Sequence, residues 1–163
     1  MADDTFTVER STTVEAPAES IYPHIADFHR WTVWSPWEDV DPGLQRSYSG
    51  PESGTGAKYA WSGSRKAGRG SMEVVRADHP GRVEIDLVFE KPWKARNDTI
   101  FALEPVAADP QRTQVTWTMT GPQTLRGRVL GKVFNMERLL GNDFEKGLAR
   151  LKSVAEGQVA PPA

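Results

Sequence analysis

Side chains able to do chemistry are few and scattered in this 163-residue chain. It has no cysteine, which excludes thiol nucleophiles, thiolate metal clusters and disulfide frameworks. Its histidines are His24, His29 and His79. The first two miss the i, i+4 spacing of a helical metal pair, and His79 lies in a Pro-Gly turn, so no metal site is expected. Gly127-Arg128-Val129-Leu130-Gly131-Lys132-Val133 approaches a phosphate-binding loop. It is a residue short and carries Val where a hydroxyl would hold magnesium. Gly54-x-Gly56 and Gly68-x-Gly70 lack the third glycine and the following helix of a dinucleotide loop. Glu38, Asp39 and Asp41 lack the spacing and the downstream bidentate Glu of a calcium loop and read as a solvated loop. No cofactor is expected.

Two basic groups, Arg65/Lys66/Arg69 and Arg126/Arg128/Lys132, read as surface patches on a chain of net charge −2 and pI near 5.9. That balance gives no electrostatic case for nucleic acid or an anionic membrane. Acid–base chemistry needs ionisable groups facing a common space. Glu73, Glu84, Asp86, Glu90 and Glu104 instead alternate with apolar residues and are predicted to point outward, and no Ser-His-Asp order is evident. The most polar residue predicted on the inner side is Asn97. A buried amide must bond a neighbour, a water or a ligand, and Thr99, Tyr59 or a backbone group at the strand end are candidate neighbours. Asn97-Asp98-Thr99 also fits a glycosylation acceptor. The acidic start, Met1 to Thr5, lacks the apolar stretch of a secretory signal, so the expected location is the cytoplasm.

These residues are positioned by elements whose apolar period changes twice. Thr5 to Glu15 is β-branched and alternating, a predicted strand. Ala16-Pro17 starts a short helix carrying Ile21, Ile25 and Phe28, which Pro23 should distort. A second short helical piece carries Trp31, Trp34 and Trp37. From Leu44 to Thr120 the period is two. Predicted strands cover Leu44–Ser49, Gly56–Trp61, Gly70–Ala77, Arg82–Glu90, Lys94–Pro105 and Gln114–Thr120, separated by turns such as Asp78-His79-Pro80-Gly81. Each has one apolar and one wet face, as in a one-sided antiparallel sheet.

After Gly121-Pro122 the period becomes helical, with Leu125, Val129, Val133, Met136, Leu140, Phe144, Gly147, Leu151 and Val154 on one stripe. Four glycines in this stretch place the well-formed helix at Met136–Glu156, after a looser lead-in. The expected architecture is α+β: seven antiparallel strands curved around a long C-terminal helix, with two short helices after the first strand. One domain spans 5–156, and 1–4 and 157–163 are tails. No apolar run reaches the ~20 residues of a membrane-spanning helix.

This order resembles the helix-grip fold of START-related (SRPBCC) proteins, and in particular their polyketide cyclase/dehydrase-like members. The resemblance is carried by Val14-Glu15-Ala16-Pro17, by Trp31-Thr32-Val33-Trp34-Ser35-Pro36-Trp37 and by Gly54-Thr55-Gly56-Ala57-Lys58-Tyr59-Ala60-Trp61. It continues in Thr113-Gln114-Val115-Thr116-Trp117-Thr118-Met119-Thr120-Gly121 and in the run Gly141 to Lys152.

The resemblance implies an apolar cavity between sheet and helix. From the strands its wall would be Tyr59, Trp61, Met72, Val74, Ile85, Leu87, Phe89, Asn97, Phe101, Leu103, Val115, Trp117 and Met119. The helical part would add Val129, Val133, Met136, Leu140 and Phe144, and Trp34 and Trp37 would lie near the entrance. The same residues could equally form a plain core. Three functions follow as expectations. The first is binding of a hydrophobic small molecule that is lipid-, polyketide- or aromatic-like. The second is a cyclase-, aromatase- or dehydratase-like enzyme in which Arg46, Tyr48, Tyr59 or Asn97 polarises a carbonyl. The third is a protein-interaction or stress-related module. The expected state is a monomer or weak homodimer.

Overall fold

The computed structural model describes residues 5–37, 41–64, 68–91, 94–122 and 136–157. Strand β1 (Thr5–Val14) leads into α1 (Ala18–Ala26) and a 3-10 helix (Phe28–Val33). Strands β2 (Gln45–Ser49), β3 (Lys58–Ser62), β4 (Arg69–Asp78), β5 (Arg82–Lys91), β6 (Ala95–Val106) and β7 (Asp109–Pro122) follow, then α2 (Met136–Ala155). The lead-in with Leu125, Val129 and Val133, both basic groups except Arg69, Glu38 and Asp39, and the tails apart from Gly157 lie outside the described residues.

The strands form one seven-stranded antiparallel sheet in the order β1-β7-β6-β5-β4-β3-β2. Each meander strand pairs with its chain neighbour, and β1 closes the far edge on β7. Period-two patterning is what makes this work, because the apolar set of every strand lands on the same concave face. Val83, Ile85 and Leu87 of β5 are buried there, as are Phe101 and Leu103 of β6 and Val115, Trp117 and Met119 of β7. β7 starts earlier than its apolar run suggested, since Asp109 already pairs with Val106 across the turn. The register of β4 against β5 shifts twice, between Arg69 and Gly70 and between Val74 and Arg76, and at the second Val75 is turned out and 48% exposed.

Pro17 caps α1 rather than occupying its first turn, and Pro23 lies inside the helix as expected. Asp27 ends α1 and caps the 3-10 helix by accepting the His29 backbone N–H at 2.9 Å. Helix α2 lies along β1, and two of its glycines sit where neighbouring groups come close. A Cβ on Gly141 would strike the Arg10 guanidinium, and one on Gly147 would come within 2.8 Å of Pro36 and 3.0 Å of Trp117. The end of α2 is clipped to β1. Lys152 Nζ donates to the Thr13 carbonyl at 3.0 Å, and the Glu156 carboxylate accepts the Glu15 N–H at 2.7 Å and Lys152 Nζ at 2.6 Å.

Candidate functional site

Register sorts the concave face into rows that cross the sheet. One row runs Trp117, Phe101, Val83; the next runs Val8, Met119, Thr99, Ile85, Val74. Beyond it come Asn97, Leu87, Met72, Tyr59 and Tyr48, and at the rim Phe89, Gly70, Trp61 and Arg46. The first row and the last two are built differently.

The Trp117 row is filled. Its indole stacks on Phe144 of α2 with centroids 4.0 Å apart and planes 5° from parallel, and on Phe101 at 4.8 Å. Trp34 closes on Trp117 at 5.8 Å and Trp31 on Phe101 at 5.8 Å, both edge to face, the arrangement the ring quadrupoles prefer. The polar ends of the surrounding tryptophans are satisfied: Trp31 Nε1 donates to the Ile25 carbonyl and Trp34 Nε1 to the His24 carbonyl, each at 2.8 Å. Trp37 Nε1 donates to Asp143 of α2 at 3.2 Å, and Arg150 donates to the Ser35 carbonyl at 3.2 Å. These two bonds strap the 34–37 segment onto α2. Trp34 is therefore drawn into the core. It is 0% exposed, at the centre of the aromatic packing, while Trp37 is only half-buried.

The two rows toward the rim carry large apolar groups that grade into solvent. Met72 and Leu87 are buried, whereas Tyr48, Trp61 and Phe89 are half-buried although they share the inner face. Tyr48 faces Tyr59 at 5.3 Å, Tyr59 lies against Trp61 at 6.1 Å, and Trp61 meets Phe89 edge-on at 5.8 Å. Gly70 makes room for this ladder: a Cβ there would sit 2.6 Å from the Trp61 ring and would overlap the Val88 carbonyl. The His29 ring stacks on Tyr48 at 4.0 Å, and Asp27 Oδ1 holds His29 Nδ1 at 2.8 Å.

Between these regions lie polar atoms with no partner. Asn97 is 6% and Thr99 3% exposed, and neither Asn97 Oδ1 nor Thr99 Oγ1 meets a hydrogen-bonding group. The Asn97 oxygen therefore makes none of the bonds considered for it, and the Thr99 hydroxyl does not pair with it. Its amide lies over Gly121, where a Cβ would overlap Oδ1, and Phe6 flanks the same spot. Trp117 Nε1 is also unpaired, the exception within the filled row.

Among the four candidates for carbonyl polarisation, Arg46, Tyr48, Tyr59 and Asn97, the structure brings all four into the two neighbouring rows nearest the rim. Leu140 is half-buried and Phe144 buried; the Met136 backbone is helical, and its side chain lies outside the description. His24 is half-buried with its pKa lowered, first by desolvation and then by the Arg30 charge, and its Nδ1 is unpaired. Asp41 accepts the Ser64 and Gly43 N–H groups, which hold its carboxyl below the usual range and tie two loops together. Sequence reasoning missed Phe28, His29 and Leu148. Phe28 and Leu148 are buried, and Phe28 touches Tyr59 at 6.0 Å. Among the described residues no helix is long and apolar enough to cross a membrane.

Comparison with known proteins places this architecture. A family model described as polyketide cyclase / dehydrase and lipid transport matches residues 5–156. Solved structures share the fold at low identity. The Aha1 dimer from Colwellia psychrerythraea superposes with a TM-score of 0.67 at 16% identity, covering 95% of this chain and 99% of that one. A Thermobifida fusca protein gives 0.63 at 21%, covering 96% and 97%. A norcoclaurine synthase point mutant from Thalictrum flavum, in complex with a transition-state analogue, gives 0.59 at 13%, covering 91% and 94%. No curated protein matches the sequence.

Proposed function

Because this chain belongs to the polyketide cyclase / dehydrase and lipid transport family, whose helix-grip fold implies a cavity for a hydrophobic ligand, we propose that it binds such a molecule against the rimward half of its concave face. The ligand is lipid-, polyketide- or aromatic-like, and it enters past Tyr48, Trp61 and Phe89. One observation carries this reading. Large aromatic side chains on the inner face are half-buried at that rim, although the inner face of a one-sided sheet is where such groups are normally covered. The adaptable Met72 beside them suits a site that accepts varied shapes.

Titration with the neutral probe N-phenyl-1-naphthylamine tests this. Saturable fluorescence enhancement is expected, with tryptophan quenching and a raised Tm. Absence of saturable binding, together with a ligand-free mass in native mass spectrometry, counts against it.

A second reading, a cyclase-, aromatase- or dehydratase-like enzyme, has one observation in its favour. With Nδ1–H donating to the Asp27 carboxylate at 2.8 Å, His29 keeps Nε2 as its acceptor nitrogen, on a ring that stacks on Tyr48 at the same rim. Turnover of a poly-β-ketone model compound that is lost in His29→Ala and Tyr48→Phe would support catalysis. A wild-type protein that binds such a compound unchanged leaves the pair as a helix cap.

A further inference from the structure

Asn97 and Thr99 stand two residues apart on the inner face of β6, on neighbouring rows, and both are more than nine-tenths buried with their oxygens unpaired. Folded chains seldom leave a buried polar side chain without a partner, since each such group forfeits its hydration. Two on the same strand face, at the border of the rimward region, mark a place that something else completes.

We propose that Asn97 and Thr99 form a polar subsite that hydrogen-bonds an uncharged hydroxyl group on an otherwise apolar ligand. This rests on the binding reading above and specifies its chemistry. A hydroxyl both donates and accepts. It can give its proton to Asn97 Oδ1 and accept from the Thr99 hydroxyl, which a carbonyl, an acceptor only, cannot do. The neighbours across the rows are Leu87, Ile85 and Met119, with Gly121 beneath the amide, so no charged group faces the pair along these rows. A carboxylate or ammonium placed there would lose its hydration without a counter-charge. Gly121 matters because any larger residue would displace the Asn97 amide. The site therefore selects an alcohol or phenol over both the bare hydrocarbon and the acid.

The test uses naphthalene, 2-naphthol and 2-naphthoate as probes at pH 7, read by tryptophan fluorescence and by the Asn97 side-chain amide resonances. The expected result is 2-naphthol binding about tenfold tighter than either other probe, with the Asn97 resonances shifting only for 2-naphthol. Asn97→Leu and Thr99→Val should each remove most of that preference. Thr99→Val keeps the side-chain volume and carries the test alone if Asn97→Leu fails to fold. Equal binding of naphthalene and 2-naphthol, unaltered in the variants, overturns the subsite but leaves the hydrophobic-ligand reading standing. Absence of binding for both overturns the two together.

Discussion

The two ends of the concave face use the same residue types to opposite effect. Under α2, Trp34, Phe101, Trp117 and Phe144 are all fully buried and interlocked, and Trp34 satisfies its indole N–H on the His24 backbone. Toward the rim, Tyr48, Trp61 and Phe89 are linked through Tyr59 and edge-on contact yet stay half-buried, and the border between the regions holds unpaired Asn97 and Thr99 oxygens. Aromatic content therefore does not separate core from binding wall. What separates them is closure from above: α2 lies along β1 and reaches Trp117 through Phe144, and it makes no comparable contact with β3, β4 or β5.

The largest expected contrast is between two tryptophan deletions. Trp34→Ala should cost about 3–5 kcal/mol in urea unfolding, because it leaves a cavity in a closed core and orphans the His24 carbonyl. Trp61→Ala should cost about 1–2 kcal/mol or less, since a half-buried ring loses less burial, yet it should weaken hydrophobic-probe binding more than any other rim change. Equal stability losses at the two sites would erase the distinction drawn above. Next in size is Gly147→Ala. A better helix former should still destabilise by about 1–3 kcal/mol, since the new methyl meets Pro36 and Trp117 at 2.8 and 3.0 Å. The same exchange at the exposed Ala149, to Gly, should follow ordinary helix propensity at about 1 kcal/mol.

A smaller effect is expected from acid. The Glu15 N–H, and then Lys152, hold the Glu156 carboxyl below its ordinary value of 4.5. A depressed carboxylate pKa means this contribution is complete above the unfolded value and disappears as pH falls through the folded one. Glu156→Gln should therefore be less stable than the wild type at pH 7, with the gap narrowing below about pH 4.5. A gap independent of pH would show that the carboxylate charge does not hold the clip. Smallest of all, Asn97→Leu should shift stability by no more than about 1 kcal/mol, in either direction, because the buried amide oxygen has no partner to lose. A loss of 3 kcal/mol or so would place Asn97 with the satisfied groups of the closed region.

Much of the architecture was legible because its signals are local. Alternation in Val83-Glu84-Ile85-Asp86-Leu87 sets which face of β5 is buried, and the four-three steps from Leu140 to Leu151 set the seat of α2. What escaped depends on partners distant in sequence. The full burial of Trp34 was not legible in its neighbours Ser35 and Pro36; it comes with the strap of the 34–37 segment to Asp143 and Arg150, far along the chain. Gly141 and Gly147 registered as weak helix formers, whereas both are points of close approach, to Arg10 and to Pro36 with Trp117. The unpaired state of Asn97 was equally hidden, since it follows from register: Leu87 and Gly121 happen to be its neighbours, and neither offers a donor. A glycine on the apolar stripe of a helix was the one overlooked clue available in the sequence.

The edge pairing of β1 with β7, and the clip from Lys152 and Glu156 to Thr13 and Glu15, join the two extremities of the chain. Hairpins from β2 to β7 can zip locally, but β1 gains its partner only after some hundred residues have been synthesised. The first strand therefore finds its neighbour late, and the helix laid along it shares that dependence on distant partners. Maturation is thus a suture between head and tail, and cutting either margin would undo both the sheet's last seam and the rod laid along it.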